Sequence, residues 1–174
     1  RSHVGETGVV VYGIISNAAL VVKSVSNGIA QAAQPLLSTN FGAGKWDRIR
    51  EAKSLGIKAS LFAGVLFTVI GMLFPVQLSY LFLDPTEEVL AMAVPAVRLY
   101  FPAFIPAAWN IMYGTYFQSV VKPKLALVST LMRGIILNSV FVFLLPLVFG
   151  VNGIWVTVAV SELLTAVLVF FFMR

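Results

Sequence analysis

The chain has 174 residues, 59% of them hydrophobic and only 11% charged, with a mean hydropathy of +0.94. Soluble domains carry about 25% charged residues, so this composition excludes a domain that must cover its surface for water. With no cysteine and a single histidine, His3, disulfide frameworks, thiolate metal sites and histidine acid–base chemistry lack raw material, and the net charge of +5 sits in gaps between apolar runs, as topology determinants do, rather than as a nucleic-acid surface.

An apolar run of about 20 residues can cross the hydrocarbon core as a helix. Five runs qualify, which predicts an all-α integral membrane protein with five transmembrane helices. The first is predicted over 8–40 and contains Gly28 and Pro35. Asn17, Ser24, Asn27, Gln31 and Gln34 follow one another at steps of 7, 3, 4 and 3, which keeps them on one helix face. Such a stripe faces protein or water rather than lipid. It is either a helix–helix interface, its hydrogen bonds worth under about 1 kcal/mol each, or a cavity wall; Lys23 beside it favours the wall. A basic loop follows, with Lys45, Arg48, Arg50 and Lys53. Its Gly42-Ala-Gly44-Lys45 lacks the spacing of a phosphate loop.

The second span is predicted over 57–83, with Gly71 and Pro75 inside it, and leads to an acidic gap at Asp84, Glu87 and Glu88. The third, over 89–121, holds Pro95, Pro102 and Pro106. Interior prolines free backbone carbonyls that lipid cannot satisfy, so three of them read as a bent helix lining a cavity or as ordinary proline tolerance. Arg98, near its end, can snorkel. Asn110, Tyr113 and Phe117, at steps of 3 and 4, offer an amide and aromatic rings on one face. That face suits bulky organic cations through cation–π contact, and it equally suits plain helix packing.

Lys122 and Lys124 precede the fourth span, 125–149, which carries Arg133, Gly134, Asn138 and Pro146. The fifth, 153–173, carries Glu162. A charge at the centre of a span costs about 2.5–3.5 kcal/mol on the mild insertion scale, so Lys23, Arg133 and Glu162 need partners or a job. Glu162 lies about 14 Å beyond Gly153 at 1.5 Å per residue, near mid-membrane. It is either a carboxylate that binds a cation or exchanges a proton, or one half of a buried ion pair with Arg133. The candidate cavity residues are therefore Asn17, Lys23, Asn27, Gln31, Gln34, Asn110, Tyr113 and Asn138. No catalytic motif, metal-ligand set or cofactor motif accompanies them.

Basic residues occupy the first and third gaps and acidic ones the second. The positive-inside rule then places the basic gaps and Arg174 in the cytoplasm and the N-terminus outside. That parity predicts a further span upstream.

The segment Gly28-Ile-Ala-Gln-Ala-Ala-Gln-Pro-Leu-Leu-Ser-Thr-Asn-Phe-Gly-Ala-Gly-Lys45 resembles the second helix of the C-terminal half of multidrug and toxic compound extrusion (MATE) transporters. Tyr116-Phe-Gln118, Leu131-Met-Arg133, and Gly150-Val-Asn-Gly-Ile-Trp155 with Val160-Ser-Glu162 fit the same half in order and spacing. The resemblance implies a twelve-helix, two-lobed transporter of which this chain is helices eight to twelve. It also implies export of drugs or organic cations in exchange for sodium or protons, a bacterial inner membrane, and a missing N-terminal lobe as partner. The tenth helix of the family often carries a coupling carboxylate, and the third span here has none in its core. Glu162 matches a position that is acidic in some relatives. A lipid-linked oligosaccharide flippase shares the same helix plan, and a membrane assembly protein that transports nothing is a further alternative.

Overall fold

The computed structural model describes residues 2–173, with side chains from Gly5 onward; His3 and Arg174 lie outside the described side chains. Eight helices follow one another: α1 (Ser2–Gly42), α2 (Trp46–Leu73), α3 (Pro75–Phe82), α4 (Glu87–Tyr100), α5 (Phe104–Ser119), α6 (Pro123–Leu131), α7 (Leu137–Phe149) and α8 (Val151–Phe172). A 3₁₀ turn, Phe101–Ala103, joins α4 to α5, and a π-helical turn, Met132–Ile136, joins α6 to α7. Together they make five stretches long and apolar enough to cross a membrane: Gly5–Gly42, Trp46–Leu73, Glu87–Ser119, Pro123–Phe149 and Val151–Phe172.

The boundaries differ most at the second span. The helix starts at Trp46, so Arg48, Arg50 and Lys53 lie on it rather than in a loop, and it stops at Leu73 instead of running to Leu83. Pro75 is the cause. It has no N–H for the carbonyl of Gly71 and its ring disfavours helical backbone in the residue before it. Phe74 accordingly leaves the helix (φ −123°, ψ 43°), and Pro75 opens α3 as its first residue, where a missing N–H costs nothing. Pro35, by contrast, is carried within an unbroken α1.

The third span is interrupted where the sequence concentrates its prolines. At Pro102 the backbone tightens into the 3₁₀ turn, and Thr68 of α2 donates its hydroxyl to the carbonyl of Phe101 at 3.0 Å. Arg98 is exposed and donates Nε to the Met72 carbonyl in the last turn of α2, at 3.3 Å, satisfying one of the acceptors that a helix end leaves open.

Three apolar clusters hold the helices together. Val11, Ile14, Ile15, Ala18, Ala19 and Val22 of α1 pack with Ala93, Val97, Phe101, Phe104 and Trp155 at one end. Ala30, Ala33 and Leu37 pack with Ile49, Met112 and Val120 at the other. Tyr113, Phe117, Ala126 and Val169 join α5, α6 and α8. The second cluster brings the gap after α1 and the gap after α5 to the same end, as the charge alternation requires. At the opposite end Thr7 donates to Glu88 Oε1 at 3.0 Å.

Close approach between helices rests on small residues. A Cβ at Gly64 would stand 2.8 Å from the Phe104 carbonyl oxygen, and one at Gly153 would collide with the backbone of Leu145. Gly150, at φ +58°, turns the chain between α7 and α8 through left-handed backbone that residues with a Cβ avoid. No residue of α7 is buried, so it lies on the outside of the bundle.

Candidate functional site

The buried face of α1 is apolar, and the polar stripe lies on nearly the opposite side. Val11, Ile14, Ala18, Val22, Ala30, Ala33 and Leu37 are buried, whereas Asn17, Ser24, Asn27 and Gln31 are exposed and Gln34 is half-buried. Among the described residues, most of the stripe therefore packs against no other helix. It forms part of the bundle's outer surface.

Lys23, at the edge of that stripe, is half-buried, and it faces the middle of α8. It shares a cavity of about 180 Å³ with Arg133, Gly134, Asn138, Val158, Ser161 and Glu162. A second cavity, of about 150 Å³, is lined by Asn27, Asn110, Ile111, Thr115, Gln118, Ser129, Thr130 and Arg133. Arg133 borders both, so the two form one polar seam between α1, α5, the π-helical turn and α8.

The centre of the seam is Glu162, 7% exposed, beside Asn110, 3% exposed. Asn110 Nδ2 donates to the carboxylate Oε2 of Glu162 at 2.7 Å and to its backbone carbonyl at 2.8 Å. Arg133 Nη1 stands 3.7 Å from the same Oε2. That is ion-pair distance but outside hydrogen-bond range, and Nη1, Asn110 Oδ1 and Ser161 Oγ are buried without a hydrogen-bond partner. Arg133 sits on the π-helical turn; such one-turn bulges occur frequently at functional sites. Among the described residues no group of three or more His, Cys, Asp or Glu could hold a metal ion. The chemistry available is electrostatic: one carboxylate, two cations and a ring of amides and hydroxyls.

The structure thus gathers Lys23, Asn27, Asn110, Arg133, Asn138 and Glu162 into one site. Asn17, Gln31 and Gln34 lie on the same stripe but border neither cavity. Tyr113 is directed elsewhere. It is 4% exposed and packs within the α5–α6–α8 cluster, its ring 4.6 Å from that of Trp109 and 6.1 Å from that of Phe117. The aromatic face of α5 meets a cation of its own chain, Lys53, whose Nζ lies 4.8 Å from the Tyr116 ring centroid and 5.9 Å from that of Tyr113.

Thr115, Gln118, Ser129, Thr130 and Ser161 belong to the seam and are not among the candidate cavity residues that the sequence offers. The signal was present: Ile111, Thr115 and Gln118 follow at helical steps of 4 and 3. Hydroxyl residues in a span also satisfy their own helix, as Ser129 does toward Leu125, which hides them among structural ones.

The MatE family model matches residues 1–144. No curated protein matches the chain by sequence. Among solved structures, the chain is similar to a multidrug resistance MATE family transporter of the MOP superfamily in its outward-facing conformation (TM-score 0.88, 19% identity), covering 97% of this chain and 38% of that one. It is similar to a MATE protein in complex with MaL6 (TM-score 0.87, 20% identity, 97% and 38% covered). A third is a MOP superfamily transporter from Pyrococcus furiosus whose binding pocket is described as of reverse polarity, suggesting a different function (TM-score 0.86, 19% identity, 97% and 38% covered). The chain thus spans little more than a third of the length of the transporters whose fold it shares.

Proposed function

Because the chain belongs to the MatE family, whose members are multi-pass membrane transporters and not enzymes, we propose that it forms helices eight to twelve of the C-terminal half of a secondary efflux antiporter. In this reading the transporter exports organic cations or drugs in exchange for sodium or protons across a bacterial inner membrane. The seam between α1, α5 and α8 is one wall of its central cavity, and the N-terminal lobe supplies the other.

The observation that carries the reading is the environment of Glu162. A carboxylate at mid-span is costly unless something offsets its charge. Here a neutral amide holds one oxygen, and the nearest cation, Arg133, stands at 3.7 Å without a hydrogen bond. Such a carboxylate can take up a proton, a sodium ion or the cationic centre of a solute with Arg133 as the displaced partner. The outward polar stripe of α1 supports the same reading, since Asn17, Asn27 and Gln31 would otherwise face lipid.

The test is Glu162→Gln in the full-length transporter. Efflux of a cationic dye is expected to fall by about tenfold or more, as when a charge-assisted contact of about 1.5–3 kcal/mol is lost; Glu162→Asp should retain part of it. Undiminished efflux at normal expression rejects the coupling role. The chain by itself in liposomes should not transport, because alternating access needs one lobe to move against another. One observation favours a second reading, the lipid-linked oligosaccharide flippase: Lys23 and Arg133 outnumber the carboxylate they share a cavity with. A full-length protein that moves such a lipid and no dye would replace the first reading with the second.

A further inference from the structure

Lys23 is a charge that the exchange proposed above does not use. It lines the same cavity as Glu162, but Arg133 is the cation paired with that carboxylate, and Lys23 makes no ion pair among the described residues. In the same cavity, Ser161 is 1% exposed, and its Oγ has no hydrogen-bond partner. Arg133 Nη1 is buried and unbonded as well. The ammonium offers three donors, the hydroxyl one, and the amide of Asn138 two more. The hydroxyl of Ser161 and the amide oxygen of Asn138 can also accept, but the one negative charge lining the cavity is the Glu162 carboxylate, one oxygen of which Asn110 already holds. Two cations, Lys23 and Arg133, thus share the cavity with one carboxylate, and positive charge is in surplus on the Lys23 side. The Lys23 side therefore favours a group with acceptor oxygens and a negative charge, which it can hold through charge-assisted hydrogen bonds, over a second cation.

We propose that Lys23, with Ser161 and Asn138, forms a subsite for an acidic group, a carboxylate or a phosphate, on a molecule whose cationic centre goes to Glu162. The inference rests on the cavity reading above and deepens it: the cargo carries both signs of charge. The acidic group belongs either to a soluble solute or to a lipid headgroup.

The test uses the full-length transporter in maltoside detergent, which carries no charge, and two dyes with one ring system, rhodamine B, which carries a carboxylate, and its ethyl ester, which does not. Lys23→Met is expected to weaken rhodamine B binding by about tenfold, the loss of one charge-assisted contact, and to leave the ester unchanged or tighter. Lys23→Arg should keep the preference for the acid. Equal changes for both dyes, or none for either, overturn the subsite. Adding phosphatidylcholine, whose headgroup carries both a phosphate and a cationic centre, separates the sources: Lys23-dependent competition with rhodamine B assigns the acidic group to a headgroup, and its absence to a solute. If neither dye binds, the drug-export reading fails, and the subsite is decided by Val158→Cys, a reporter in the same cavity. That thiol should react faster with an anionic thiosulfonate than with a cationic one, and Lys23→Met should reverse the order; no Lys23-dependent charge preference overturns the proposal.

Discussion

Asn110 donates through one amide nitrogen to both the backbone carbonyl and the carboxylate of Glu162, at 2.8 and 2.7 Å. The two residues are 52 positions apart, and the pair fastens the middle of α5 to the middle of α8. The carbonyl oxygen of the same amide, Oδ1, is buried with no partner, so its orientation is set by the carboxylate and not by a wider network.

Asn110→Leu keeps the branched shape and removes both bonds. Leaving the carboxylate without its donor is expected to destabilise the protein by about 2–3 kcal/mol, measured by reversible unfolding in detergent. The loss should shrink in the Asn110→Leu/Glu162→Gln double variant, because a neutral amide needs less support and residues in contact are non-additive. Equal losses in both backgrounds would mean that Asn110 only packs.

Gly71 of α2 lies directly against the ring of Phe101 in the 3₁₀ turn, where an added Cβ would overlap the ring. Gly71→Ala gains about 1 kcal/mol of helix propensity but overpacks the contact by about 1–3 kcal/mol. A net loss of stability is expected, together with partial recovery when Phe101→Leu is added. A stabilised single variant would show that α2 and the turn can part at no cost.

The stripe on α1 makes a solvent prediction. With single cysteines at Asn17, Asn27 and Gln31 of the full-length transporter, a water-soluble thiol reagent should label all of them, while cysteines at Val25 and Leu36, which are also exposed on the bundle surface but on another flank of α1, should resist it behind lipid. Protection at all five positions would turn the stripe into a closed interface with another helix.

Much of the architecture was legible because lipid is a demanding solvent. A helix is the one open-chain structure that satisfies its own backbone there, so length and hydropathy were enough to locate five spans. The prolines marked the irregular places, and Pro102 does lie in the 3₁₀ turn. Proline alone did not say which irregularity would follow: Pro35 is absorbed in a continuous helix, whereas Pro75 ends α2 and begins α3. Each proline frees one carbonyl, that of Gln31 or that of Gly71, so the local sequence does not separate the two outcomes.

The site divides along the same line. Its raw materials, a carboxylate and two cations at membrane depth and a polar face on α1, were determined by the sequence alone, because a polar group in a span stands out against the cost of placing it there. Tertiary packing alone decided which of them meet. The rotation of α5 turned Asn110 toward Glu162 and Tyr113 into an aromatic cluster, although both lie on one predicted face. The π-helical turn set Arg133 at ion-pair distance, and the position of α8 left Lys23 in one cavity with an unbonded Ser161. Those outcomes depend on helix rotation and on contacts between residues far apart in the chain, and periodicity within one helix carries no information about either.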